Sequence, residues 1–347
     1  MKNSWEVIPA RQAQRCVQLK GSVAWKAASV VTLGTVGMLS KAFLYGTQSV
    51  TTHGREAFVK MLQTRKRPVI SVCNHISVMD EPLLWGVMPA KTLFNPTHVR
   101  WSMGSADICF TNKVLSTFFS SGQTLATYRH GAGMFQPALD DAITLLSQSN
   151  AWLHVFPEGR IRQSKDYSMR YFKWGISRIV LETAMLGELP IIVPFFIEGF
   201  DQVMHESREW PRFLPRVGKK ITVTFGEPID DAIIQPYVDK WQQMVAEARQ
   251  IFPDNEDDPR LVPFALNHSQ AAKDIRRELA KELRDAVSKL RLQAGYPAEN
   301  PHAHDARYYL SDEGYEYDVV QGGVPRPAIF KKKDAGGEDV IEKDTFT

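Results

Sequence analysis

The chain has 347 residues, 44% hydrophobic and 23% charged, which excludes wholesale disorder and fits one large α/β domain or two smaller ones. Lys and Arg total 42 against 39 Asp and Glu, a net charge of +3 that is too balanced for a dedicated nucleic-acid binder. The three cysteines, Cys16, Cys73 and Cys109, are odd in number and far apart, and no run of about 18 uncharged apolar residues occurs. Neither a disulfide framework, a zinc site nor an ordinary multi-pass membrane protein is therefore implied.

Charge is unevenly placed at the start. Between Glu6 and Glu56 there is no acid, whereas Arg11, Arg15, Lys20, Lys26, Lys41 and Arg55 are basic. Residues 21–46 are the most apolar long segment, and at 100° per residue Ser22, Lys26, Ser29 and Ser40 form a narrow polar stripe, interrupted by Leu33 and Val36. The uncharged stretch between Lys26 and Lys41 is 14 residues. That is about 21 Å of helix against a hydrocarbon core of about 30 Å. Residues 1–50 thus read as a basic membrane-anchoring segment, a helix lying in the interface with Lys26 and Lys41 at the headgroups and Trp25 and Tyr45 at its ends. A core helix, a cleaved targeting peptide and a tilted span remain open alternatives.

From Pro68 onward short apolar runs alternate with helix-like stretches. Strands are predicted at 69–73, 106–110, 124–128, 151–156, 190–196 and 220–226, with helices beginning near His53, Met79, Lys113, Gln136, Lys173 and Val238. Residues 51–252 therefore read as an α/β domain with a mostly parallel central sheet covered by helices. An acidic, proline-bracketed loop follows at 253–260. Within 261–295, Ile275, Leu279, Leu283, Val287 and Leu290 share one helical stripe, with Lys281, Glu282, Arg284 and Asp285 on the other side. Residues 297–347 read as a mostly disordered tail.

The sharpest local pattern is NHISVMDEP at 74–82, directly after the first of these strands. On a plain helix His75 and Asp80 would lie about 140° apart. They meet if His75 occupies the strand-to-helix turn and Asp80 the first helical turn. The carboxylate then holds Nδ1–H and leaves Nε2 as a base, with a substrate hydroxyl as the nucleophile. FPEGR at 156–160 places Glu158, Gly159 and Arg160 in a second loop at the same strand ends, and Arg129 sits in a third. The two arginines offer forked donors to a phosphate. Pro194, within PIIVP, is expected in a fourth such loop.

NHxxxxD, an Arg after a strand, FPEG and PIIVP, in this order over residues 50–230, resemble the glycerolipid acyltransferase superfamily. ADICFT (106–111), FFSSG (118–122), FKWGI (172–176) and PRVGKKITV (215–223) resemble its branch of mitochondrial phospholipid–lysophospholipid transacylases that remodel cardiolipin. Where the wider superfamily commonly has a Ser separated from FPEG by two residues, this chain has Arg162. The resemblance implies catalysis by His75 and Asp80, and substrate binding by Asn74, Arg129, Glu158, Gly159 and Arg160. It also implies an acyl donor that is itself a phospholipid, an acceptor such as monolysocardiolipin, and neither cofactor nor metal. The expected setting is the mitochondrial outer and inner membranes, peripheral or interfacially anchored and facing the intermembrane space, with homo-oligomerisation left open. A CoA-dependent lysophosphatidate acyltransferase and a non-catalytic membrane scaffold are the competing readings.

Other residues carry blander expectations. Cys73 and Ser77 flank His75 and could be imagined as acyl carriers, but Cys73 ends an apolar strand and reads as core. His154 reads as a core or edge histidine. Phe195, Phe196 and Phe200 read first as sheet core, with a membrane-dipping segment or an acyl-chain wall as alternatives.

Overall fold

A computed structural model of the chain describes residues 22–129, 133–251 and 262–311, together with the pairs 332–333 and 339–340. In chain order come α1 Val23–Thr47, β1 Ser49–His53, α2 Arg55–Thr64, β2 Val69–Cys73, α3 Asp80–Leu84, α4 Ala90–Leu93, β3 Ser102–Ser105 and α5 Ala106–Cys109. Next are α6 Lys113–Ser121, β4 Thr124–Thr127, α7 Pro137–Gln148, β5 Trp152–Val155, α8 Gly175–Leu186, β6 Ile191–Glu198 and α9 Phe200–Val203. The series closes with β7 Lys220–Phe225, α10 Asp231–Ile251, α11 Phe264–His268, α12 Gln270–Gln293 and the two-residue strands β8 Lys332–Lys333 and β9 Asp339–Val340.

The central sheet has the order β1-β7-β6-β2-β5. All its pairings are parallel except β6 with β7. The parallel pair β3–β4 joins it through a bridge between Trp101 and Leu153 on β5. Every residue of β2 is buried, so the VISVC run is covered on both faces, as an apolar run without alternation requires. Phe195, Phe196 and Phe200 are buried in this core, as is His154, whose Nδ1 pairs with Ser71 Oγ at 2.7 Å. The sheet is the expected mostly parallel one.

One predicted strand is a helix. Residues 106–110 were expected to be extended, but β3 ends at Ser105 and α5 follows. Ala106 and Phe110 are buried while Ile108 between them is exposed, the spacing of a helical turn rather than of a strand. Strand β1, a polar SVTTH edge, was not anticipated, and α10 begins at Asp231 rather than near Val238, with Pro236 inside it.

Helix α1 also departs from expectation. Ser22 caps it by accepting from Trp25 N, and its small residues Ser29, Gly34, Gly37 and Ser40 face the body with Leu33 and Leu44. Ser40 Oγ donates to Pro82 O at 2.7 Å, and Lys41 Nζ donates to the carbonyls of Gly86 and Met88, each at 3.0 Å. The serine stripe therefore packs against protein instead of facing headgroups, and Lys41 is engaged in that contact. The outward face is mostly apolar: Val31 is 65% exposed and Leu39 66%, with Val23, Ala24, Ala27, Ala28 and Ala42 alongside and Lys26 and Thr35 as its polar members. Small side chains win the buried side because they admit the closest backbone approach. By length and composition α1 could cross a membrane, but its buried residues extend from Ser29 to Leu44 along the body.

The apolar stripe of α12 is buried at Ile275, Leu279, Leu283 and Val287, but so are Arg276, Arg284 and Arg291. Arg284, expected on the solvated side, donates to Met169 O, Arg170 O and Glu299 Oε2 at 2.7 to 2.9 Å. Arg291 donates to Asp166 O and Oδ2. A guanidinium has five donors, and these carbonyls and carboxylates satisfy buried ones. The expected tail is correspondingly shorter, since Glu299, Ala303 and Tyr309 are packed in place. The basic approach at 1–20, the acidic loop at 253–260 and most of 312–347 lie outside the described residues.

Docking of α1 depends most on Gly86, where an added Cβ would lie 2.7 Å from the backbone at Ser40 and Lys41. Gly86→Ala should therefore cost about 1–3 kcal/mol in denaturant unfolding, because backbone cannot yield as a side chain can. At Gly34 the obstacle is the half-exposed Phe94 ring, which can swing away while helix propensity improves. Gly34→Ala should stay within about 0.5 kcal/mol of the parent, and equal losses at the two sites would show that backbone approach does not control docking.

Candidate active site

Strand β2 ends in the loop that carries His75, and α3 begins at Asp80. Asp80 is buried, and its Oδ2 accepts from His75 Nδ1 at 2.9 Å, Ile76 N at 2.6 Å and Ser77 N at 2.8 Å. Those amides belong to the turn before a helix, where backbone donors lack intrahelical partners and a carboxylate is a natural acceptor. Burial pushes the Asp80 carboxyl above the ordinary aspartate range, opposed by its hydrogen bonds to the imidazole and the two amides. With Nδ1–H directed at Asp80, the lone pair of the ring is on Nε2. The His75 side chain stays 21% exposed and its ring stacks on Phe156, centroids 4.4 Å apart.

Asn74 and Glu158 hold this turn from either side. Asn74 Nδ2 donates to Ile197 O and its Oδ1 accepts from Ile197 N, both at 2.9 Å, tying the end of β2 to β6. Glu158, just past β5, accepts from His75 N at 3.1 Å through Oε1 and from Arg170 N at 3.0 Å through Oε2. Both side chains are buried. Their side-chain hydrogen bonds go to backbone, which positions the turn on which substrate binding was expected. Burial raises the Glu158 pKa, with the two amides and the charge of buried Arg162 working against that rise. Arg162 N also donates to His75 O at 2.8 Å. The position where a superfamily serine was missing thus holds a buried counter-charge beside Glu158.

Gly159 adopts φ 67°, and the stem and ammonium of Lys173 lie where its Cβ would be. Lys173 keeps an exposed surface, yet its ammonium is held below the usual lysine range, first by burial, then by Arg160, Arg170 and Arg129. Cations gather in this way where an anion is to be held. Arg129 is half-exposed and pairs with Asp107 of α5 at 2.5 Å. The charges of Arg129 and Arg160 thus both bear on Lys173, which the sequence reading passed over inside FKWGI. Gln163 was also missed: its Nε2 donates to Ile76 O at 2.8 Å. Cys73 is buried with its thiol pushed well up by burial, and buried Ser77 Oγ lies 3.4 Å from Met204 O, which suits neither to carry an acyl group.

Comparison with known proteins decides the family. An acyltransferase family profile matches residues 49–198. Tafazzin of Saccharomyces cerevisiae is 34% identical over 79% of this chain and 79% of its own length. Taffazin of Dictyostelium discoideum is 39% identical over 59% of this chain and 70% of its own. The chain belongs to the tafazzin family. An Arabidopsis thaliana protein named N-acylphosphatidylethanolamine synthase is 31% identical over 56% of this chain and 68% of its own. This tafazzin-family chain is accordingly an acyltransferase acting on lipids, and its matched segment contains both the His75 turn and the Glu158 loop.

If His75 and Asp80 act as a unit, His75→Ala should lower acyl transfer by about 10²–10⁴-fold with folding intact. Asp80→Asn should lose a comparable amount and also some thermal stability, since it weakens the acceptor of two turn amides. The double variant should be little slower than His75→Ala. Multiplying losses in that double variant would separate the two roles. Glu158→Gln replaces one acceptor by a donor facing an amide, so it should lower both melting temperature and kcat. A melting temperature unchanged with kcat reduced would return Glu158 to direct substrate contact.

Proposed function

We propose that this chain is a CoA-independent phospholipid–lysophospholipid transacylase that remodels cardiolipin acyl chains, with His75 as general base and Asp80 as its orienter. The observation that carries this reading is the 2.9 Å His75–Asp80 hydrogen bond in a turn at the carboxyl end of β2, beside the Glu158 loop. His75 Nε2 takes the proton of the lysophospholipid hydroxyl as that oxygen attacks the ester carbonyl of the donor phospholipid. The tetrahedral intermediate collapses, the bond between the acyl carbon and the donor's glycerol oxygen breaks, and the imidazolium returns the proton to the departing alkoxide. Two phospholipids exchange one acyl chain, and an ester donor needs no activating cofactor. Asp80 stabilises the imidazolium formed on the way. Arg129, Arg160 and Lys173 hold the phosphate of a lipid substrate, setting the hydroxyl against the carbonyl.

The enzyme works at a membrane surface, on the outer and inner mitochondrial membranes facing the intermembrane space. Its likeness to proteins named tafazzin supports the location, and the acid-free stretch before Glu56 suits an anionic leaflet. Helix α1 lies along the interface with its apolar outward face in lipid, since its other side is occupied by α3, α4 and the turn at Gly86. Ester groups lie at the same depth, so neither substrate has to leave the bilayer entirely.

Purified full-length protein with vesicles of phosphatidylcholine donor and monolysocardiolipin acceptor, without CoA, should transfer the acyl chain between the two lipids. Transfer only from acyl-CoA would instead make it a lysophosphatidate-type acyltransferase, amide formation on phosphatidylethanolamine would follow the Arabidopsis relative's name, and no turnover by folded protein would leave a scaffold. In this assay Arg160→Lys keeps the charge but loses the planar fork, so it should raise KM for the acceptor several-fold more than it lowers kcat.

A further inference from the structure

The chain leaves the sheet at Glu198 and returns to it at Lys220, and the tip of that excursion presents large apolar side chains to solvent. Trp210 is 84% exposed and Phe213 72%, with Leu214 and Val217 also exposed. Side chains of this size gain by leaving water, so a cluster left exposed marks a surface that something else covers. Around them stand Arg208, Arg212, Arg216, Lys219 and Lys220, against the acids Glu206 and Glu209. Aromatic and aliphatic tips ringed by cations match an anionic lipid surface, whose headgroups take the charge and whose acyl boundary takes the rings.

The tip has a built shape. Arg208 donates to His205 O at 2.6 Å and to Arg212 O at 2.5 Å, and Arg216 donates to Glu209 O at 2.7 Å. These bonds fold the backbone back on itself and leave the apolar side chains outside. The excursion is also pinned to the end of α1. Gln48 Nε2 donates to Arg216 O at 2.9 Å, Gly218 N to Thr47 O at 2.8 Å, and Lys219 N to Gln48 Oε1 at 2.7 Å. On its other side Gln163 joins it to the catalytic turn, accepting from Glu206 N at 2.8 Å while donating to Ile76 O. The exposed tip, the apolar face of α1 and His75 are therefore linked by short hydrogen-bonded paths at one end of the sheet.

We propose that residues 208–220 form a second membrane-contact element, with Trp210, Phe213 and Leu214 entering the interface of an anionic bilayer and the flanking cations meeting its headgroups. This rests on the membrane-surface reading of α1 and adds a contact beyond the C-terminal end of that helix. Two contacts fix the tilt of the domain on the bilayer, where one helix alone leaves rotation about its own axis. The lipid-facing mouth of the His75 site is thereby held against the leaflet from which both substrates come.

The test uses the full chain with Cys16 and Cys109 replaced by Ser and a polarity-sensitive fluorophore attached at Phe213→Cys, Leu39→Cys or Gln242→Cys. On vesicles of phosphatidylcholine and phosphatidylglycerol in equal parts, the label at 213 should brighten and shift to the blue. The label at 242, on α10, should not change. Arg212→Gln with Lys220→Gln should weaken binding several-fold and flatten its salt dependence. A shift at 39 without one at 213 overturns the proposal and leaves the α1 reading standing, and a shift at 213 alone does the reverse. No shift at either position, or no vesicle binding at all, overturns both. A shift at 213 that appears with rising protein concentration in the absence of lipid would make the tip a contact between copies of this chain, and the proposal would fall.

Discussion

A single carboxylate oxygen organises the active site. Asp80 Oδ2 gathers the imidazole of His75 and the amides of Ile76 and Ser77, so the turn's backbone and the base it carries are fixed by the same atom. Burial makes that arrangement demanding, because a carboxyl away from water tends to take up a proton unless donors surround it. The donors come from the turn itself. The sequence can therefore encode the base, its orienter and the local fold within NHISVMD, and β2 and α3 need only hold the two ends.

This locality explains why the His75–Asp80 pair was legible. The partners are five positions apart, the strand before them is an apolar run interrupted only by Ser71, and the turn between them brings the two side chains together. The sheet was legible for the same reason, since apolar runs of strand length need no distant information. ADICF misled because its apolar residues suit either period, and only the burial of Ala106 and Phe110 with Ile108 outside decides for a helix. The polarity of α1 also misled. Periodicity identifies a stripe of Ser and Lys, but whether a small-residue stripe faces water or a closely approaching backbone depends on Gly86 and Leu93, which are remote in sequence.

The supporting residues were illegible for a related reason. Glu158 was assigned to substrate from its motif, yet its oxygens are occupied by amides on opposite sides of the site, one at His75 and one at Arg170. Arg162 stood out only as a missing serine, and Lys173 not at all. Each works through a partner that the chain brings near only on folding. Arg284 was read with the solvated side of its helix, yet it is buried. The buried arginines of α12 are the extreme instance, because an amphipathic pattern gives no sign that a guanidinium has carbonyls to meet inside.

Those arginines connect the two ends of the domain in an order with a temporal meaning. Arg284 holds Arg170 O, Arg170 N holds Glu158, and Glu158 holds His75 N. Glu299, close behind α12, takes Met169 N and Arg284 together. All the motif residues leave the ribosome before any of this clamp exists. A nascent chain that has emerged through β6 thus carries a complete catalytic vocabulary without the brace that seats it. Only after α12 has formed and Glu299 has arrived is the Glu158 loop held from behind. The Glu158 loop is in this sense braced by residues that follow every motif residue in the chain, whereas the His75 turn carries its own fastening in Asp80.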